Sequence, residues 1–252
     1  MKVLVLFIAM VCAIACTTTE TILDFNLVEG SINKLDSAYV IFQEQAYRFP
    51  LDAQGKGTLK MNIKEDGFAI LVYGKLSTNI YLKQGNTLKV IWDKEDWRGG
   101  KMQVVSDDGG INEYIRLNIE KSFKKATECS FTLEEDSFMD KVEQTIRELS
   151  AGIDSTNFAP EIKDILKASS KYEVLYWIYK YPRFHNFGKR MSQEEYLAFK
   201  RFNEYMFDKF EAHPEYLCLT AYREYAVNWF YELMQLRCFG EPYILKKEKA
   251  IK

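Results

Sequence analysis

The residues best suited to covalent chemistry are the cysteines, of which the 252-residue chain contains five: Cys12, Cys16, Cys129, Cys218 and Cys238. No two of them form a C-x-x-C pair, the spacing that thiol–disulfide exchange commonly uses. Cys12 lies within an apolar N-terminal segment, and Cys16 follows directly after it. The candidates for redox chemistry are therefore the three cysteines in the body of the chain.

Pairing among these three thiols is restricted by the helix that the sequence predicts over its last part. Cys218 and Cys238 fall on this one helix, twenty residues apart in the sequence, which corresponds to about 30 Å. A disulfide needs Cα atoms within about 7 Å, so these two are not expected to pair. Cys129 could pair with either of them. Three separate buried thiols are expected instead, because free cysteine is among the most buried residue types.

Metal binding and the common forms of catalysis have no matching motif. The two histidines, His185 and His213, lie on separate predicted loops, and neither H-x-x-x-H nor paired-cysteine spacing occurs. G-x-S-x-G and the glycine-rich phosphate-binding patterns are absent. Carboxylates at 134–136 and 194–195 fall in predicted first helical turns, where negative charge complements the helix dipole. We therefore expect no metal, no cofactor and no catalytic residue, and favour a non-enzymatic protein over a hydrolase with an unrecognised site.

Composition excludes one class of partner and points to another. The formal net charge is -2, whereas a nucleic-acid-binding protein needs a clear basic excess, so no nucleic acid is expected. Aromatic residues make up 15% of the chain and crowd into its second half, where most should pack between helices. Phe207 and Tyr231 fall off the apolar stripes of their predicted helices and could line a groove for an extended partner or for another domain.

One predicted surface segment, residues 181–190, joins aromatic and basic side chains. This composition is typical of a protein contact site. The candidates for contact with a partner are Arg183, Phe184, His185, Phe187 and Arg190. The alternative is an interhelical loop whose aromatic side chains fold back onto the helices while its cations point to water.

The first fifteen residues predict a signal peptide. Lys2 supplies a positive charge, residues 3–11 are apolar, and small residues follow. The apolar run is shorter than the roughly 20 residues that a membrane-spanning helix needs. Residues 13–16, Ala-Ile-Ala-Cys, resemble the lipobox of bacterial lipoprotein signals, with Ala13 where leucine is commonest. The resemblance implies cleavage before Cys16 and lipid attachment to it.

A lipid on Cys16 would make the membrane the first partner of the mature chain. Residues 16–21 would then be a polar tether, and the protein would lie on the periplasmic or outer-membrane face of a Gram-negative envelope. The alternative is a secretory signal that is cleaved nearby without lipid attachment. In both cases the mature chain leaves the cytosol.

Residues 22–106 predict an antiparallel β-sandwich of seven or eight strands. Short runs of alternating apolar residues recur there between polar turns. Three central runs, 68–74, 78–83 and 87–92, predict a meander with turns at 75–77 and 84–86. The run around Pro50 predicts an edge strand, because proline cannot donate to a ladder.

Residues 107–252 predict a bundle of about five helices, because the apolar period changes from two to 3.6 after residue 110. Capping boxes or a proline at the first position predict helix starts at Thr132, Pro160, Ser192 and Pro214. The last two of these helices are expected to run to residue 210 and residue 240. Strands followed by helices indicate an α+β fold with segregated layers.

This order of parts resembles the N-terminal, non-thioredoxin region of TlpA-type thioredoxin-like lipoproteins. The resemblance rests on three sequence segments: FNLVEG at 25–30, FPLDAQG at 49–55 and IYLKQGNTL at 80–88. It covers the predicted β-domain better than the predicted helices. In that family a thioredoxin domain with a C-x-x-C motif follows, so no catalytic residue carries over.

The resemblance implies a non-enzymatic accessory or binding module that contacts another envelope protein or a ligand. The alternative is a thiol-redox accessory protein that works with a partner. It would act through a single cysteine, or one disulfide, among Cys129, Cys218 and Cys238.

Overall fold

The computed structural model describes residues 20–28, 35–93, 102–185, 192–208 and 212–238. The predicted signal peptide, Cys16 and tether residues 17–19 lie outside the described residues. The predicted end of the tether is wrong, because Thr21 is buried and already belongs to the first strand. The described residues begin with eight strands: β1 (Thr21–Leu27), β2 (Ser37–Phe42), β3 (Gln45–Pro50), β4 (Lys56–Met61), β5 (Gly67–Tyr73), β6 (Leu76–Leu82), β7 (Thr87–Trp92) and β8 (Gln103–Val105). They form two four-stranded sheets, of order β4-β1-β7-β8 and β3-β2-β5-β6. The predicted β-sandwich, and β3 as an edge strand, are confirmed.

The core of the sandwich lies between the two sheets and is filled by alternate residues of each strand. On β1, Leu23, Phe25 and Leu27 are buried, while the residues between them are partly exposed. The Phe25 ring centroid lies 6.0 Å from that of Phe49 and 6.4 Å from that of Trp92. These rings come from both sheets, so burial of aromatic surface holds the two sheets together.

The predicted meander is wrong at its second turn. β5 and β6 pair antiparallel around Gly74, whose φ is +61°, so the first turn falls slightly earlier than predicted. After residues 84–86 the chain crosses to the other sheet, where β7 pairs in parallel with β1. The Thr21 hydroxyl accepts a hydrogen bond from the Gly85 amide at 3.0 Å and donates one to the Lys83 carbonyl at 3.2 Å. These bonds attach the crossover to the start of β1, and the sandwich is therefore not wholly antiparallel.

Helical elements follow the strands in the described chain. They are α1 (Ile111–Thr127), α2 (Glu135–Asp154), α3 (Pro160–Ile178), α4 (Tyr181–His185), α5 (Gln193–Leu197), α6 (Lys200–Asn203), a π-helical turn (Glu204–Asp208), a 3-10 helix (Pro214–Cys218) and α7 (Thr220–Cys238). The predicted α+β class is confirmed. Two predicted starts are also confirmed, since Pro160 opens α3 and Ser192 forms a complete capping box with Glu195.

Two predicted boundaries in the helical part are wrong. α2 begins at Glu135 without a side-chain cap, and the Thr132 hydroxyl instead lies 2.8 Å from that of Ser130. The helix predicted over 192–210 is interrupted at Phe199, whose ψ is 73°. Beyond the break, the Phe202 amide donates to Glu135 Oε1 at 2.7 Å. This contact with α2 satisfies a backbone group that local helix formation would otherwise use.

The last predicted helix is also interrupted. Pro214–Cys218 is a separate 3-10 helix, and Leu219 is extended with φ −103° and ψ 124°. The sequence predicted that Cys218 and Cys238 lie on one continuous helix. This prediction is wrong, because Cys218 ends the 3-10 helix and Cys238 lies in α7.

The helices cover the outer face of the sheet β3-β2-β5-β6. Phe68 of β5 and Tyr81 of β6 point away from the sandwich core and pack with Ile111, Ile115 and Leu166. A larger helical core surrounds Phe138, Tyr172 and Tyr181. The fold thus has three layers, with one sheet buried on both faces. No helix of the described ranges is long and apolar enough to cross a bilayer.

Candidate binding site

Two asparagine side chains attach the helical layer to the edge strand β6. Asn112 of α1 is 2% exposed; its Oδ1 accepts from the Tyr81 amide at 2.8 Å, and its Nδ2 donates to the Tyr81 carbonyl at 2.7 Å. The side-chain amide of Asn112 thereby replaces one residue of a neighbouring strand. An edge strand with unpaired backbone groups is prone to pairing with other chains, and this contact covers it.

The second attachment explains the break before α7. Asn79 of β6 donates from Nδ2 to the Cys218 carbonyl at 2.7 Å, and its Oδ1 accepts from the Thr220 amide at 3.1 Å. A continuous helix would leave neither backbone group available to Asn79. The contact therefore positions Cys218 and the start of α7 against the sheet.

The start of α1 is held by a buried carboxylate. Asp108 is 4% exposed and accepts from the amides of Gly110 and Ile111, each at 2.9 Å. It also accepts a close hydrogen bond from Asn112 Nδ2. The side chain of Asp108 thus satisfies backbone amides at the start of α1 and orients Asn112 towards β6.

The segment predicted to contact a partner is divided by the structure. Residues 181–185 form the short helix α4 rather than a loop, while Phe187 and Arg190 lie outside the described residues. His185 folds back, since its Nδ1 lies 3.0 Å from the Phe131 carbonyl oxygen. Phe184 is 50% exposed and stacks on Phe131 with ring centroids 5.6 Å apart. Phe184 is thus the described member of this set that offers aromatic surface to solvent, and Arg183 lies beside it in the sequence.

Both described thiols in the body of the chain are free cysteines. Cys129 is 2% exposed, and its sulfur lies 3.8 Å from the Thr145 hydroxyl. Burial raises its pKa, and burial likewise raises the pKa of Cys218. Raised pKa values disfavour the thiolate, which is the reactive form. The side chain of Cys238 lies outside the described residues.

A solvent-facing apolar stripe runs along α7. The side chains of Val227, Phe230 and Tyr231 are 68%, 58% and 40% exposed, and their spacing of three and four residues places them on one helix face. The opposite face of α7 packs into the helical core, where Tyr222 and Tyr225 contact Tyr172. We call Val227, Phe230 and Tyr231 the α7 stripe. The sequence singled out Tyr231 for such a role, whereas the side chain of Phe207 lies outside the described residues.

A cleft of about 400 Å³ lies between the sandwich and the helical layer. One wall is the β2–β3 turn, with Gln43 and Glu44, and the other is the 3-10 helix followed by Arg223 of α7. Ile41 and Leu217 contribute apolar lining. Sequence reasoning missed this cleft, because its walls are more than 160 residues apart in the chain. We call it the interlayer cleft.

Among the described residues, no group of three or more His, Cys, Asp or Glu side chains is arranged to hold a metal ion. The chain matches none of the family models, curated proteins or solved structures with which it was compared. The α7 stripe and the interlayer cleft are therefore interpreted from their geometry.

Proposed function

We propose that this chain is a non-enzymatic accessory protein of the Gram-negative envelope that binds another protein. In this proposal Cys16 carries the lipid anchor, and the body of the chain resembles the N-terminal region of thioredoxin-like lipoproteins. The observation that supports protein binding is the α7 stripe, where apolar side chains face solvent on a helix whose other face is already buried. A helix that is apolar on both faces is normally covered on both faces.

The partner is a protein that presents an apolar surface, such as an amphipathic helix that packs along α7. Exposed aromatic side chains are frequent centres of binding energy, which makes Phe230 the main contact and Val227 its neighbour. The free thiols with raised pKa values weigh against the thiol-redox alternative.

Site-specific photo-crosslinking tests the partner surface. A photo-reactive residue replaces Phe230 in one variant and Leu117 in a control; Leu117 lies on α1 and is 47% exposed. We expect a discrete protein adduct from position 230 in the native envelope, and its loss when V227D is added. Equal adducts from positions 230 and 117, or an adduct that V227D leaves unchanged, would overturn the assignment. A probe at Phe184 shows whether the same partner reaches α4.

The anchor is tested separately by the mass of the mature protein extracted from its envelope. We expect the mass of a chain that begins at Cys16 and carries acyl groups, and a C16S variant that loses them and leaves the membrane fraction. A mature chain without lipid would support the alternative of a secreted protein. That result would leave the partner surface on α7 unaffected.

A further inference from the structure

Two side chains of opposite charge line the interlayer cleft. Glu44 lies on one wall and Arg223 on the other, and both are exposed. Neither side chain forms an ion pair with any residue that the structure describes, and the two do not pair with each other. The remaining carboxylate of the cleft, Glu215, is 2.9 Å from His213 Nδ1. Among the described residues that line the cleft, Glu44 and Arg223 are therefore an anion and a cation without an ion-pair partner.

The turn that presents Glu44 is strained. Gln43 and Glu44 connect β2 to β3 as a two-residue loop in which φ is 48° and 62°. Such turns favour Asn-Gly or Asp-Gly, because a longer side chain on a residue with positive φ costs free energy. Two consecutive residues of this kind at a cleft are typical of a functional site, where strain is retained because the side chains are needed.

We infer that the interlayer cleft binds a small zwitterion with an apolar body, such as an apolar amino acid or a short peptide with free termini. Arg223 binds the carboxylate through its guanidinium, which matches carboxylate geometry. Glu44 binds the ammonium group. The apolar body lies against Ile41, Pro214 and Leu217, which line the cleft between the two charges. The volume of about 400 Å³ and the combination of apolar lining with a few charged groups are typical of small-ligand sites.

Calorimetric titration of the purified chain with the dipeptide Leu-Leu tests this inference. Octanoate and hexylamine serve as probes with one charge each. We expect Leu-Leu to bind, and both single-charge probes to bind at least about tenfold more weakly, since a lost charge-assisted hydrogen bond changes affinity by about that factor. Octanoate that binds as well as Leu-Leu would overturn the zwitterion assignment, as would the absence of Leu-Leu binding at millimolar concentration.

Two variants that each remove one charge test whether Leu-Leu binds between Arg223 and Glu44. R223Q and E44Q are each expected to weaken Leu-Leu binding about tenfold. R48Q is the matched control, because Arg48 is a surface cation already paired with Asp36 at 3.3 Å. Leu-Leu affinity that is unchanged in R223Q and E44Q, or equally reduced in R48Q, would overturn the inference.

The strained turn supplies a second readout. E44G removes both the carboxylate and the positive-φ strain, whereas E44Q removes the carboxylate alone. We expect both variants to bind Leu-Leu more weakly, and E44G alone to show a higher urea midpoint than the natural chain. If Glu44 only shaped the turn, E44G would raise the urea midpoint without lowering the affinity for Leu-Leu. An E44G variant that keeps full affinity would contradict the role of Glu44.

Discussion

Replacing Asn112 should disturb the contact between the sheet and the helices more than any other single substitution. In N112A the amide and the carbonyl of Tyr81 lose their partners, and the 8% exposure of Tyr81 leaves little room for water to replace them. A buried polar group left unsatisfied costs about 1–3 kcal/mol. The two groups together should lower the free energy of unfolding by about 2–6 kcal/mol.

N118A is the matched control on the same helix. Asn118 is 6% exposed, and its Nδ2 donates at 2.8 Å to the Ser170 hydroxyl. Ser170 keeps its bond to the Leu166 carbonyl at 3.0 Å, so N118A leaves no backbone group of a strand unpaired. A typical single hydrogen bond contributes about 1 kcal/mol. We therefore expect N118A to lower the free energy of unfolding markedly less than N112A does.

Urea denaturation followed by far-UV circular dichroism measures both losses. Native-state amide exchange adds a local readout, since the Tyr81 amide should exchange faster in N112A than in N118A. Equal losses of unfolding free energy in the two variants would refute the reasoning. They would mean that the strand edge at Tyr81 finds other partners, and that burial alone sets the cost of replacing either asparagine.

Two further predictions concern ionisable groups. The pKa of Cys218 is raised above 9.0 by burial, so its iodoacetamide rate at pH 7, measured by peptide mass spectrometry, should be lower in the folded chain than in urea; a faster folded-state rate would contradict this. A hydrogen bond from Lys125 lowers the pKa of Glu148 below 4.5. The stability that this pair contributes is therefore present above pH 4.5 and lost as the pH falls through the lowered pKa. Between pH 6 and pH 3 the urea midpoint of K125M should fall less than that of the natural chain. An equal fall in both proteins would be evidence against a stabilising Lys125–Glu148 pair.

The strands were predictable because alternation of apolar residues is a local signal. β1 alternates as a strand with one buried face must, and the structure follows that pattern. β5 departs from it with the run Phe-Ala-Ile-Leu-Val, and this run corresponds to a strand that is buried on both faces. The sequence carried this signal, but which layer would cover Phe68 depends on α1, more than 40 residues further along the chain.

The corrected boundaries have a common physical cause. Helix propensity favours one continuous helix from Pro214, yet Asn79, about 140 residues away, takes up two backbone groups at its break. Likewise, β7 leaves the predicted meander because its place beside β1 is set by contacts between distant strands. Local propensity is a weak preference, and a few tertiary hydrogen bonds are enough to override it.

The sequence by itself determined the order of strands and helices, the starts of two helices and the burial pattern of β1, because each depends on neighbours a few residues apart. It also singled out Tyr231 as lying off the main stripe of its helix. Only the tertiary structure decided that the helices cover one sheet, that His185 folds back onto Phe131, and that Glu44 and Arg223 face a common cleft. These outcomes depend on contacts between residues that are distant in the chain, and spacing along a sequence carries no information about them.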